Sequence, residues 1–514
     1  MTTSEHTAGS EQPIEERVNN RSAAPSSKAF IDFMAANWAP ADTELPARST
    51  VADFTAQRRA AISAMFPGER LVLPAGPLKV RSNDTDYRFR PHSAFAHQTG
   101  LGLDHEPDAV LVFEPVEEGT GDNGSNHEAT LYFRPLAGRD TEQFYKDPRY
   151  GEFWVGARPT LEALSAEYGI ATADLSELEV AITKNAGNQA LGGIRIRLVR
   201  DVDLNVDALV DTSRYNTAVD LEESDKLDAV LTEALSEARL VKDSIEVENL
   251  RRSVANTIDG FAEVIKALPV ARDHHRGERI IETAFFAKAR SEGNDLGYDT
   301  IAACGNNATV LHWIRNNGTV EDGKLMLVDA GVEDDTLYTA DITRTFPVNG
   351  KFTEVQAKAY SIVLEASEAA FKAAVPGARF KDIHAATMQV LASRLEEWGL
   401  LPVTAEVSLS EEGGHHRRWM PHGTSHHLGL DVHDCAQAKR ELYMDGVLEP
   451  GMVFTIEPGL YFKEEDLGIP AELRGIGIRI EDDVLVTETG NENLSAALPR
   501  TVEGIEDWMA QLSS

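Results

Sequence analysis

In the C-terminal half of the chain, two apolar runs each end on a carboxylate: Leu325–Val328 leads into Asp329, and Val453–Ile456 leads into Glu457. Runs of this length and composition fold as buried strands, and a carboxylate at the end of a buried strand is costly unless it is exposed, paired or bound to a cation. The fold must therefore bring something to both. Twelve residues after Asp329 comes Asp341, in the stretch Tyr338–Thr345, where Asp341, Thr343 and Thr345 fall on one face of a strand. A hairpin between these strands would set Asp329 beside Asp341. Gly475–Asp482 repeats the pattern, with Arg479 and Glu481 two residues apart on one face.

Between these acidic strands lies Pro421–Asp434, which packs four imidazoles, His422, His426, His427 and His433, into fourteen residues. Histidine binds transition metals and moves protons near neutral pH, but no spacing here closes a zinc signature, and a solvated loop accounts for the stretch equally well. Each carboxylate taken singly is also served by a salt bridge or a turn. The set behaves differently from its members. Four converging carboxylates repel one another and raise each other's pKa, and a shared pair of divalent ions relieves that repulsion. Oxygen-rich ligation with one imidazole suits Mn²⁺ or another borderline-hard ion better than a thiolate zinc site, so Cys304 and Cys435 are not needed.

A chain of 514 residues exceeds one typical core and predicts two domains. Its 49 Lys and Arg against 84 Asp and Glu give a net charge of −35, which argues against nucleic acid or an anionic membrane as partner. No stretch reaches the roughly 18 apolar residues of a spanning helix, and two cysteines in so long a chain fit a reducing, cytoplasmic setting. Residues 1–48, rich in Ser, Glu, Ala and Thr, read as a disordered leader without the pattern of a signal peptide. Residues 49–234 alternate strands and helices as an α/β domain, and 235–514 read as an α+β domain. In the latter, apolar positions from Val247 to Leu268 predict an amphipathic helix ended by Pro269. Thr353 and Gln356 have capping-box spacing for a helix to about Ala374, and another is expected over Phe380–Trp398.

Taken in order, Leu311–Trp313, Val328–Gly331, Asp341–Phe346, His422–Gly429, Asp431–Asp434, Thr455–Tyr461 and Arg479–Asp482 resemble the pita-bread metallopeptidases, above all their aminopeptidase P (Xaa-Pro aminopeptidase) and prolidase branch. Arg81–Arg90 and Trp154–Arg158 resemble the amino-terminal domain of that branch. The resemblance implies an α/β N-terminal domain ahead of an α+β pita-bread (creatinase/aminopeptidase-like) catalytic domain. It implies two divalent metal ions per subunit, with Mn²⁺ favoured, held by Asp329, Asp341, His426, Glu457 and Glu481. Asp341 and Glu481 would bridge the ions, and Glu457 would also serve as general base. His312, His422 and His433 would position the substrate and stabilise the tetrahedral intermediate, and Arg479 would orient the ligands.

The activity implied is release of the N-terminal residue from peptides with proline second. A prolidase, restricted to Xaa-Pro dipeptides, shares every ligand and stands as the alternative. A non-catalytic pita-bread binding protein should lack several of the carboxylates. The same resemblance implies a homo-oligomer, a dimer or tetramer. Two stretches depart from the pattern. Glu117–His127, rich in Gly, Asn and Asp, reads as a mobile surface loop. Gly413–Trp419 carries two more imidazoles and two arginines beside the histidine loop, either at the substrate entrance or simply exposed.

Overall fold

The computed structural model describes residues 27–39, 44–103 and 105–512. The chain forms two compact units that divide after Asp228, with Leu101–Leu103 joining the second. The expected boundary at 234/235 lies a few residues later, because the division falls inside the helix Leu221–Glu237. Of the expected leader, residues 1–26 and 40–43 lie outside the described residues. Within it, Lys28–Ala35 form a helix whose first turn is capped by Ser27, so this part of the leader departs from the disorder expected of it.

The first unit is built on a five-stranded sheet. Its strands are β1 (Glu69–Pro74), β2 (Val110–Pro115), β3 (His127–Phe133), β4 (Ala171–Asp174) and β5 (Arg195–Leu198), in the order β4-β3-β2-β1-β5. The β1–β2 and β2–β3 pairs are antiparallel, whereas β1–β5 and β3–β4 are parallel. Val72, Val110, Val112, Ile196 and Leu198 form one core with Val206 and Val210. Arg70 is fully buried within β1, where Glu114 pairs with its Nε at 2.6 Å and the Ile182 carbonyl accepts from it at 2.7 Å. The expected mobile loop at Glu117–His127 is corrected at its end. There His127 is buried and opens β3, its ring nitrogens 2.7 Å from Ser63 Oγ and 2.7 Å from the Glu69 carbonyl. The buried imidazole needs both partners, and they anchor the segment.

The second unit packs helices over small antiparallel sheets. Helix α1 (Ser244–Arg272) starts in a capping box made by Asp243 and Glu246. It runs through Pro269, against expectation. A proline removes only its own N–H and crowds the carbonyl four residues back, so in the last turn three more residues still complete the helix. Helix α2 (Gly277–Glu292) packs on it, with Phe261 and Phe285 ring to ring at 5.9 Å. Helix α3 (Glu354–Ala373) begins at the Thr353/Gln356 capping box, and α4 spans Phe380–Glu397. The strands are β6 (Ile301–Cys304), β7 (Leu325–Ala330), β8 (Ile342–Pro347), β9 (Val453–Ile456), β10 (Gly459–Phe462), β11 (Ile476–Arg479), β12 (Asp482–Val486) and β13 (Asn491–Asn493). They pair as β8-β7-β6, β9-β12-β13 and β10-β11, all antiparallel. Among the described residues no helix is long and apolar enough to cross a membrane.

Candidate active site

The β7–β8 register pairs Asp329 with Thr343 and Ala330 with Ile342, so Asp341 stands one step beyond the last pair. The hairpin expected from the sequence thus brings the two aspartates together. Tyr298 lies between them, its hydroxyl 2.7 Å from Asp329 Oδ1 and 2.5 Å from Asp341 Oδ1. In the second strand set β9 pairs with β12 through Ile456 opposite Asp482, which leaves Glu457 and Glu481 facing each other just past the ladder. The two sets are joined by the Glu481 N–H, which donates to the Thr343 carbonyl at 3.1 Å. The histidine segment runs alongside β9: the Thr455 N–H donates to the His426 carbonyl at 2.9 Å and the Glu457 N–H to the Thr424 carbonyl at 2.8 Å.

These pairings aim every candidate side chain into one cavity of about 580 Å³. It is lined by His312, Asp329, Asp341, His422, His426, His433, Glu457, Arg479 and Glu481, with Tyr298. His426 Nε2 lies 3.2 Å from Asp341 Oδ2 and 3.8 Å from Glu457 Oε1. One ligand atom each of Asp341, His426 and Glu481 falls within 4.8 Å of the others, with Asp329 and Glu457 flanking the group. Arg479 is buried behind them. Its guanidinium pairs with Asp329, donates to Thr343 Oγ1 at 3.0 Å and lies 3.1 Å from the Tyr461 hydroxyl. Thr343 in turn donates to Glu481 Oε2 at 2.6 Å. His422 Nδ1 donates to the Gly423 carbonyl at 2.6 Å, which leaves Nε2 to accept from Tyr461 at 2.7 Å.

The electrostatics follow from crowding acids in a buried place. Burial, reinforced by the Asp341, Glu457 and Asp329 charges, drives the Glu481 carboxyl far above the usual range. Burial lifts Glu457 to about 7 although His426 and Arg479 pull it back, and it raises Asp329 against the opposing pull of Arg479. Burial alone would depress His426, but its bond to Asp341 and the Asp341 and Glu457 charges outweigh it and lift the imidazole to about 9. His422 goes the other way, down to about 3, through burial and the nearby Arg479. Four carboxylates around one guanidinium and one imidazole form an anionic oxygen cradle, and this donor set fits hard or borderline divalent cations.

Three supporting groups were not singled out from the sequence. Tyr298 stands in no periodic pattern, and only its burial against two aspartates reveals it. Asp483 is fully buried and accepts the Asp341 N–H at 3.2 Å, a role set by tertiary approach alone. Tyr461 closes the stretch Thr455–Tyr461, and its bonds to both His422 and Arg479 arise only in three dimensions.

Residues 248–488 match the sequence pattern of metallopeptidase family M24, and residues 54–191 match that of the aminopeptidase P N-terminal domain. Xaa-Pro aminopeptidase 1 of Streptomyces coelicolor is 47% identical over 504 residues, covering 98% of this chain and 96% of that protein. The chain belongs to the aminopeptidase P branch of metallopeptidase family M24. This M24 protein is therefore a metallo-aminopeptidase, with the pita-bread fold in its second unit and an aminopeptidase P-type domain in its first. Among solved structures, zinc-substituted Escherichia coli aminopeptidase P in complex with product is similar at a TM-score of 0.75 and 29% identity, over 91% of this chain and 100% of that one. Proline aminopeptidase P II from Yersinia pestis is similar at a TM-score of 0.74 and 29% identity, over 90% and 99%. The prolidase alternative is not favoured by these relatives.

Proposed function

We propose that this M24 enzyme removes the N-terminal residue from peptides whose second residue is proline, using two divalent ions held by Asp329, Asp341, His426, Glu457 and Glu481. The observation that carries this reading is the convergence of these four carboxylates and one imidazole in a single cavity, within a chain whose relatives over nearly its whole length are Xaa-Pro aminopeptidases. Asp341, His426 and Glu481, with ligand atoms within 4.8 Å of one another, would hold the ions together with Asp329 and Glu457, and the oxygen-rich donor set supports Mn²⁺. When bound, the ions supply a water of lowered pKa and polarise the scissile carbonyl.

The chain's own groups do the rest. Glu457, which lines the cavity within 3.8 Å of His426, would take the proton of the attacking water and hand it to the leaving proline nitrogen. That nitrogen takes the bonding pair as the C–N bond breaks, so it must be protonated to leave as an amine. His422 stays neutral, fixed between the Gly423 carbonyl and Tyr461. His312 and His433 line the same cavity wall and can donate to the substrate carbonyl as charge develops on it. Arg479 and Tyr298 hold the carboxylates in place.

We place the enzyme in the cytoplasm, which the two buried, unpaired cysteines Cys304 and Cys435 support. We also infer a homo-oligomer, a dimer or tetramer, supported by the exposed run Phe153, Trp154 and Val155 on the first unit. The test of activity is hydrolysis of Arg-Pro-Pro and Gly-Pro by Mn²⁺-loaded protein, with Asp341→Ala as control. Release of arginine from the tripeptide, lost in the control, is expected. Cleavage confined to the dipeptide would make the enzyme a prolidase, and inactivity on both would favour a binding protein.

A further inference from the structure

A second cavity, of about 220 Å³, shares His422, Gly423 and Ser425 with the catalytic one. The two spaces differ in charge. The catalytic cavity is lined by Asp329, Asp341, Glu457 and Glu481, whereas the side cavity presents Lys381, His384 and Arg417 and no carboxylate among its lining residues. Lys381 and His384 lie in the first two turns of α4, three residues apart and so on one face. His384 Nδ1 is 2.9 Å from Thr424 Oγ1, which fixes the ring against the wall.

The residues of the basic stretch ahead of the histidine loop have different surroundings. His416 is buried against Ser408 at 3.0 Å and Arg418 pairs with Asp466 at 2.7 Å, so both are structural. Arg417 is different. Its guanidinium donates to the Pro421 carbonyl at 3.2 Å, just before His422, and it makes no ion pair among the described residues. Lys381 is partly neutralised by Asp445 at 2.7 Å, which leaves Arg417 as the principal cation. Phe380 and Met444 complete the lining with apolar surface.

A short peptide carries its ammonium at one end and its carboxylate at the other. In this molecule an acidic cavity and a basic one lie side by side, with His422, Gly423 and Ser425 lining both. We propose that the side cavity is a subsite for the free C-terminal carboxylate of short peptide substrates, held by Arg417 with help from Lys381. The inference rests on the peptidase reading above and adds that the enzyme senses the far end of its substrate.

The test compares Ala-Pro-Ala and Ala-Pro-Ala-Ala, each as the free acid and as the C-terminal amide, in wild type, the double variant Arg417→Ala/Lys381→Ala, and Arg418→Ala. For at least one length, wild type is expected to favour the acid by about tenfold in kcat/KM, equivalent to about 1.4 kcal/mol, with the difference in KM. The preference should vanish in the double variant, persist in Arg418→Ala, and narrow in 0.5 M NaCl as the exposed cations are screened. Equal cleavage of acid and amide by wild type at both lengths, or an acid preference that survives the double variant, overturns the subsite. Hydrolysis of neither form by wild type overturns the peptidase reading and the subsite with it.

Discussion

Replacing Glu457 by glutamine is expected to stabilise the metal-free protein at pH 8 while destabilising the metal-loaded one. Burial holds the Glu457 carboxyl at about 7 against an ordinary 4.5, with Asp341 and Asp329 adding to the rise and His426 and Arg479 opposing it. A carboxyl raised on folding contributes stability that is complete below its unfolded value, about 4.5, and is lost as the pH rises through its folded value, about 7. That gap corresponds to at most about 3–4 kcal/mol, at about 1.4 kcal/mol per tenfold. Since 16% of the side chain opens onto the cavity, a working figure is about 2 kcal/mol. An amide does not ionise and escapes this loss. In EDTA the variant should therefore match wild type near pH 5 and exceed it by about 2 kcal/mol at pH 8, several degrees in Tm. The opposing titration of His427, pushed down to about 3, occurs in both proteins and cancels in the difference, whereas removing the Glu457 charge also lowers His426, which that charge helps to raise. With Mn²⁺ added the order inverts, because wild type gains more from ligand binding. Thermal unfolding at pH 5, 6.5 and 8, with EDTA or Mn²⁺, measures both signs. A variant no more stable than wild type in EDTA at pH 8, with a difference flat across pH, refutes the reasoning.

Tyr298→Phe removes the hydroxyl set between Asp329 and Asp341. Loss of such support is expected to weaken Mn²⁺ binding by about 10–100-fold, read by titration calorimetry, and unchanged affinity would remove Tyr298 from the site's support. Arg344→Met takes from the fully buried Asp482 its 2.6 Å guanidinium partner and leaves it Ser495 at 2.6 Å and Arg500 at 3.3 Å. It should cost about 3–5 kcal/mol in denaturant unfolding, and a loss under about 1 kcal/mol would show the pair to be dispensable. His422→Gln breaks the chain from the Gly423 carbonyl through the imidazole to Tyr461 and so loosens Tyr461 on Arg479; it is expected to lower kcat by about 10–100-fold with a smaller change in KM. A pure KM effect would make it a binding residue.

How far the site could be read from the sequence depends on whether a residue's anomaly is local. Asp329 and Glu457 stand out because an ionisable group closes an apolar run, and the cost of burying it is visible without any tertiary information. The helix from Thr353 was legible for a similar reason, since both halves of its capping box lie within four residues. Tyr298, Asp483 and the buried His127 carry no such signal. Each is an ordinary polar residue in its own segment, and its partners arrive from elsewhere in the fold. The helix end expected at Pro269 failed because a proline constrains only the turn before it, and packing of α1 on α2 governs the remainder.

The same locality explains why the site is built from two similar strand sets. In each, an antiparallel ladder stops and the next opposed positions fall at the cavity: Gly331 opposite Asp341 in one, Glu457 opposite Glu481 in the other. At Gly331 a Cβ would lie 1.6 Å from the Ala340 carbonyl oxygen, so only glycine allows the first ladder to close this tightly beside an acid. The sets are then joined along positions two residues apart. Thr345 Oγ1 both accepts the Arg479 N–H, at 3.1 Å, and donates to the Arg479 carbonyl, at 3.0 Å. Thr343 binds the Arg479 guanidinium and the Glu481 carboxylate. The spacing that places Thr343 and Thr345 on one face therefore meets the spacing that places Arg479 and Glu481 on another. A one-residue slip in either strand would turn both threonines away and leave a buried guanidinium and a buried carboxylate without their partners. Register, more than any single ligand, is what holds these acids close enough to share a cation.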